Sequence, residues 1–207
     1  MYKAWFGSIL ALALSAGPAA AGDAALGGQK AAVCGACHGM TGSSVNPEWP
    51  SLAGQPEAYI VAQLQQFKQG ARSNPLMTPM AAPLSETDMA DLAAHFSQQT
   101  PSGLEADPST WKLGEKLYRG GDVSVDSFGT RRDIPACIAC HGPQGRGNAP
   151  AGFPALRAQQ GVYTYNQLQA FAAGTRHSAG NRIMQDIASR LTDEEMRALA
   201  SYTQGLR

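Results

Sequence analysis

Cys34-Gly35-Ala36-Cys37-His38 recurs as Cys137-Ile138-Ala139-Cys140-His141, and the two copies use all 4 cysteines of the chain. The spacing carries a specific chemistry. Two thiols three positions apart can each add to one vinyl group of a single porphyrin. The histidine after the second thiol then lies under the ring and offers its imidazole to the iron. This is the attachment spacing of c-type haem. A redox dithiol uses the same cysteine pair but gives no reason for a histidine after both copies. A closed zinc site needs four ligands, whereas each motif supplies three and only His95 and His177 remain in the chain. A disulfide framework suits shorter, more cysteine-rich chains. The sequence therefore predicts two covalent haem c groups, held by Cys34 and Cys37 and by Cys137 and Cys140.

The N-terminus supports that reading. Lys3 precedes an apolar stretch from Trp5 to Ala16, and Ala19-Ala20-Ala21 is a small-residue cleavage site. Residues 1–21 read as a secretory leader, with the mature chain starting at Gly22. The stretch is too short to span a bilayer. Export places the protein in the periplasm, where thiols and haem meet in bacteria.

Outside the motifs the two halves repeat each other. Gln55 matches Gln159, Tyr59 matches Tyr163, Gln63 matches Gln167, and Arg72 matches Arg176, all at one offset. Slightly further along, Met77 matches Met184, Leu84 matches Leu191 and Leu92 matches Leu199. Identities in one order across two halves define a duplication, with one haem domain in each half. Residues near 24–34 and 109–119 read as short helices running into each motif. Residues 56–69 and 162–173 show helical apolar spacing. Final helices begin at Ser85-Glu86-Thr87-Asp88 and Thr192-Asp193-Glu194-Glu195, both with the capping-box pattern. No stretch reads as a strand ladder, so the expected class is all-α. Gly120 to Pro135 is an extra charged loop of the second half.

His38 and His141 supply one axial ligand per iron, and the other position decides what the haem does. An open position binds small molecules, whereas a closed one moves electrons. A ligand common to both domains must fall on matching positions, as Met77 and Met184 do. Met80 competes locally, but its repeat partner is Ile187, which cannot ligate. Met40 sits too close to His38. Met89 and Met196 match each other inside the final helices and read as core. His95 aligns with Tyr202 on a helix face, and His177 has no partner in the first half. Pro50 and Pro154 follow the two histidines at similar distances, where a backbone carbonyl could orient the imidazole or the proline could simply shape a turn. Arg72 and Arg176 read equally as partners of haem propionates or as solvated surface residues. Tyr59 and Tyr163 read as packing residues.

Ala32-Val33-Cys34 through Gly39, Leu52-Ala53-Gly54-Gln55, and Met77 followed by Leu84-Ser85 carry a family resemblance. So do Pro135-Ala136-Cys137 through His141, Ala151-Gly152-Phe153-Pro154 and Ile183-Met184-Gln185. On these residues the chain resembles the dihaem cytochrome c4 family over essentially all of residues 22–207. The resemblance implies two tandem class I cytochrome c domains, at 22–100 and 110–207, joined by a linker at 101–109. It implies haems facing each other across the domain interface, His/Met ligation of both irons, and electron transfer in the periplasm near the inner membrane and terminal oxidases. The segment from Val123 to Asp133 is longer than this family leads one to expect.

The chain is formally neutral, with 16 Lys and Arg against 16 Asp and Glu. Its halves differ. Residues 22–100 hold three basic and six acidic residues, and residues 101–207 hold twelve and ten. Such a dipole orients a protein toward charged partners, so the two domains are expected to dock on different ones. No basic cluster interleaved with aromatics points to nucleic acid. The function expected is an electron carrier, not an enzyme. Its donor would be a quinol-oxidising cytochrome complex or another reductant, its acceptor a terminal oxidase or reductase, and its association with the inner membrane loose. The rival readings are the dihaem subunit of a larger enzyme, such as a flavocytochrome c sulfide dehydrogenase, and a haem enzyme in its own right, a peroxidase or a thiosulfate-oxidising enzyme.

Overall fold

A computed structural model describes residues 21–125, 129–177 and 180–206. The leader expectation therefore falls, but for Ala21, outside the described residues. So do parts of the Gly120–Pro135 loop and of the loop that carries His177.

Among the described residues each half has five helices. The first half has α1 (Ala24–Lys30), α2 (Ala32–His38), α3 (Glu57–Gln69), α4 (Met77–Ala81) and α5 (Glu86–Ser97). The second has α6 (Trp111–Gly120), α7 (Ile138–His141), α8 (Gly161–Ala172), α9 (Ile183–Ala188) and α10 (Asp193–Gly205). Among the described residues there is no sheet, only three isolated bridges. The final helices start where the capping boxes place them. Ser85 and Asp88 exchange side-chain-to-backbone bonds at α5, and Thr192 and Glu195 do so at α10.

In each half the first helix lies across the last, α1 on α5 and α6 on α10. Glycine permits the crossing. A Cβ on Gly27 would stand 1.9 Å from the Asp91 carbonyl oxygen, and one on Gly114 would stand 2.0 Å from that of Ala198. Beneath the crossings lie two cores. Ala31, Ile60, Leu92, Ala93 and Phe96 form the first, against which Cys34 packs. Leu117, Tyr118, Ile134, Leu191, Met196, Leu199 and Tyr202 form the second, against which Cys137 packs. Met89 and Met196 are core residues, 1% and 6% exposed, as their helix positions predict.

The two halves differ in how they reach the haem motif. α1 leads directly into α2, as expected. α6 does not lead into α7, because the chain first makes an excursion closed by bridges between Asp122 and Ile134 and between Val125 and Arg131. Polar pairing holds this excursion to the core. The Arg132 guanidinium donates to both carboxylate oxygens of Glu195, each at 2.6 Å, and also to Asp122 at 2.8 Å. The hydrogen bond from Arg132, first, and those from Thr192 hold the Glu195 carboxyl below its ordinary range against the effect of burial. A depressed carboxylate stabilises the fold above its unfolded-state value and loses that contribution as pH falls through its folded value. Glu195→Gln is therefore expected to cost on the order of 2–3 kcal/mol at neutral pH. The deficit relative to wild type should shrink as pH falls below about 4.5, near the ordinary Glu value. Urea melts of both proteins at pH 7 and pH 4 check this, and an equal deficit at both would contradict it.

The halves meet about a local two-fold axis. The Gln55 side chain donates to the Ala155 carbonyl at 2.7 Å and accepts from the Ala155 amide at 3.1 Å. Gln159 does the same to Ser51, at 2.9 and 2.8 Å. Ser51 and Ala155 are themselves repeat partners, so each domain reads the other's backbone with the same side chain. All four residues are buried. Such amide pairs satisfy backbone groups that would otherwise be buried without partners.

Candidate functional site

α2 presents Cys34, Cys37 and His38 within just over one turn, and α7 with its preceding turn presents Cys137, Cys140 and His141. No disulfide joins any of the four cysteines. Burial pushes the Cys34 thiol up and the Cys137 thiol up to about 11. No group of three or more His, Cys, Asp or Glu among the described residues is arranged to hold a metal ion. In each motif the first thiol, Cys34 or Cys137, packs against the core of its half, and Cys37 is exposed.

Both histidines are 6% exposed. His38 Nδ1 lies 2.8 Å from the Pro50 carbonyl oxygen, and His141 Nδ1 lies 2.9 Å from that of Pro154. A carbonyl can only accept, so each Nδ1 carries the hydrogen and each Nε2 keeps a free lone pair. Burial, opposed by the carbonyl contact, lowers the pKa of both imidazoles. Each is therefore a neutral, oriented donor of one nitrogen, which is what an iron at the centre of a porphyrin requires. Of the two readings of the prolines, the orienting carbonyl is the one the structure bears out. Tyr118 extends this support in the second half by donating to the Gly142 carbonyl at 2.6 Å, next to His141.

The matched methionines occupy matched places. Met77 is the first residue of α4 and Met184 the second of α9, and both are half-buried. Met80 is 41% exposed, whereas its partner Ile187 packs on the second core. An asparagine starts each of these helices. The Asn74 side-chain oxygen accepts from the amides of Leu76 and Met77 at 2.9 and 3.0 Å, and that of Asn181 accepts from Ile183 at 3.1 Å. These are Asx turns that set the register of the methionine helices. The signal for them is in the sequence, since Asn74 and Asn181 share the offset of Met77 and Met184. His95 lies edge-on to Phe96 on α5, and His177 pairs with Gln185 at 3.0 Å.

Arg72 and Arg176 are not solvated surface residues. Arg72 donates to Gln63 of its own half at 2.6 Å and, across the boundary, to Tyr163 and Gln167 at 3.1 and 3.0 Å. Arg176 donates to its own Gln167 at 2.7 Å and across to Tyr59 and Gln63 at 2.8 and 3.2 Å. Tyr59 and Tyr163 are thus acceptors in an interdomain network as well as packing residues.

Two small helical domains, each with a paired-thiol motif and an oriented neutral histidine, define a dihaem c-type cytochrome. The cytochrome c family model matches residues 24–100 and 114–207, one match per half. The chain is 44% identical to cytochrome c4 of Pseudomonas aeruginosa over the full length of both. The crystal structure of reduced recombinant cytochrome c4 from Pseudomonas stutzeri superposes with a TM-score of 0.84 at 45% identity, covering 90% of this chain and 100% of that one. A thiosulfate dehydrogenase electron acceptor from Thiomonas intermedia is 39% identical, covering 84% of this chain and 78% of that protein. The chain belongs to the dihaem cytochrome c4 family: an electron-transfer protein with two covalent haem c groups, not an enzyme.

Proposed function

We propose that this protein is a periplasmic electron carrier in which both irons are closed, by His38 and Met77 in the first domain and by His141 and Met184 in the second. Cys34, Cys37, Cys137 and Cys140 hold the porphyrins. The observation that carries the reading is the pair of buried histidines, each locked by a proline carbonyl with Nε2 free, with matched methionines at matched helix starts. A thioether opposite an imidazole raises the potential of a c-type haem and leaves no site for substrate. The two haems held by these residues would supply the one-electron chemistry that links a donor to an acceptor. Residues 1–21 are the leader, and the domains at 22–100 and 110–207 are joined by the linker 101–109. No helix among the described residues is long and apolar enough to cross a membrane.

The charge difference between the halves supports separate docking of donor and acceptor, a quinol-oxidising complex or other reductant on one and a terminal oxidase or reductase on the other. A second reading has a specific observation behind it. The Thiomonas relative is an electron acceptor of thiosulfate dehydrogenase, so a dehydrogenase could be the donor here, as in the reading that makes this chain the electron-accepting subunit of a larger enzyme. Absorption spectra of the exported protein, oxidised, reduced, and reduced under carbon monoxide, test the closed-iron reading. Two haems per chain and no carbon monoxide shift are expected. A shift corresponding to one haem would mean an open iron and a haem enzyme. Stable co-purification with a dehydrogenase would favour the subunit reading.

A further inference from the structure

The excursion between Gly121 and Pro135 has no counterpart in the first half, where α1 runs straight into α2. Its bridges pair Asp122 with Ile134 and Val125 with Arg131, which sets Val123 opposite Asp133 and Ser124 opposite Arg132. Opposed residues of an antiparallel ribbon share a face, and successive residues alternate between faces. One face therefore carries Asp122, Ser124, Arg132 and Ile134. The other carries Val123, Val125, Arg131 and Asp133. The first is turned to the domain, since Ile134 is buried and Arg132 is bound to Glu195. The second is turned to solvent, with Val123 67% and Val125 58% exposed. This order is inverted. A ribbon with one face on a core ordinarily keeps its apolar side chains in and its polar ones out. Here charged side chains pin the inner face and two valines stand outward. The pinning is firm, because Arg132 also donates to the Arg190 carbonyl at 2.8 Å and Arg190 to the Asp133 carbonyl at 2.7 Å. The valines are thus presented on a held surface, which lowers the ordering cost of any contact made there.

The charges around the valines say what fits. Arg131 and Asp133 pair with each other on the same face at 2.9 Å. α6, which leads into the ribbon, exposes Lys112, Lys116 and Arg119. Arg119 is matched by Glu115, whereas Lys112 and Lys116 pair with no carboxylate of the described residues. The first half offers nothing similar, since the one cation of α1, Lys30, is held by Asp88 and Asp91. An apolar centre beside a charged rim is the anatomy of a protein interface. Its small extent suits a transient redox encounter, which buries less than about 1,200 Å² in all. A bilayer surface calls instead for a cluster of roughly four to eight unpaired cations, and an ion pair among the valines would oppose insertion. We propose that the outer face of the ribbon, with the neighbouring cations of α6, is the docking surface for one protein redox partner, which presents an apolar spot bordered by acidic side chains. The return strand runs into Pro135-Ala136-Cys137, so that partner docks beside the thiol that holds the second porphyrin. The proposal rests on the carrier reading and assigns one of its two partners to this surface.

The test uses the full-length holoprotein and right-side-out inner-membrane vesicles of the bacterium that makes it. Stopped-flow absorbance reads two second-order rates, reduction by vesicles supplied with quinol and oxidation of the reduced protein by vesicles in air. Val123→Ser combined with Val125→Ser is expected to lower one of these rates about fivefold or more and to leave the other within about twofold. Lys112→Glu combined with Lys116→Glu should lower the same rate about tenfold at low salt and flatten its salt dependence. All four positions are exposed, and two haems per chain with unchanged potentials show that each variant is intact. Val45→Ser, at an exposed valine of the first half, is the control and should leave the affected rate unchanged. Wild type that exchanges electrons with the vesicles in neither direction would sink the carrier reading and the proposal with it. If wild type exchanges and the valine and lysine variants match it within about twofold, or slow equally in both directions, the proposal alone is overturned. Protein-free phosphatidylglycerol vesicles separate a lipid contact from a protein one. No co-sedimentation is expected, and binding by wild type that the valine variant loses would overturn the assignment to a protein partner.

Discussion

Met184→Ala is expected to give a protein that still carries two haems but binds one carbon monoxide per chain when reduced, where wild type binds none. Met77→Ala should do the same at the other iron, and the double variant should bind two. The argument runs from ligand geometry to redox chemistry. The histidines are fixed by Pro50 and Pro154 and by their position inside α2 and α7, so on the proposed ligation loss of the methionine would leave each iron attached to the chain but able to take an external ligand. Alanine preserves the helix start, because the Asx turns at Asn74 and Asn181 act on backbone amides and not on the methionine side chain. On the same proposed ligation, replacing thioether sulfur by water or nothing would also remove the ligand that raises the potential. The affected haem should fall by on the order of 0.2 V, a fraction of the ~0.8 V that axial ligands span. Met80→Ala is the control and should bind no carbon monoxide, as its side chain lies toward solvent. If Met80→Ala opens the first iron and Met77→Ala does not, the ligand of that domain is Met80.

Most of the architecture is legible because its signals are local. The capping boxes at Ser85 and Thr192 need only four consecutive residues, and the haem motifs five. Helical apolar spacing places α3 and α8 to within a residue or two of their ends. The interface is written in the same repeat identities, yet its meaning is hidden there. Gln55, Tyr59, Gln63 and Arg72 recur at Gln159, Tyr163, Gln167 and Arg176 because the halves meet about a two-fold axis and each residue finds an equivalent environment across it. A shared identity says that a constraint is common to both halves, not which constraint it is, and repeat matching alone cannot separate a haem-facing arginine from a cross-domain one. The excursion between Gly121 and Pro135 reads in the sequence as an extra charged loop, but what fixes it to the core does not. It has no period, and what holds it, Arg132 on Glu195, joins residues far apart in sequence. The glycines of the helix crossings also escape a periodic reading, since their signal is the absence of a side chain.

Those glycines carry the second large expectation. Gly114→Ala should destabilise the second domain by about 3 kcal/mol or more, because the added methyl meets backbone and not a side chain that could turn away. Its Cβ would lie 2.0 Å from the Ala198 carbonyl oxygen, 2.6 Å from the carbonyl carbon and 2.7 Å from the Tyr202 Cβ. Relief requires α6 and α10 to separate. The parting would uncover the core in which Leu117 and Tyr118 of α6 pack against Leu199 and Tyr202 of α10. A loss of that size in a domain of about 100 residues lowers the melting temperature by roughly 12–24 °C. Gly120→Ala is the internal control on the same helix, where nothing lies within 4 Å of the added atom, so its effect should stay within about 0.5 kcal/mol. Gly27→Ala should reproduce the loss in the first domain, since its Cβ would stand 1.9 Å from the Asp91 carbonyl oxygen. Thermal melts followed by haem absorbance measure all three. If Gly114→Ala melts with wild type, the helices cross less closely than the structure places them. If it melts early while Gly120→Ala does not, contact at the crossing, and not helix propensity, sets the stability of the domain that holds the second haem.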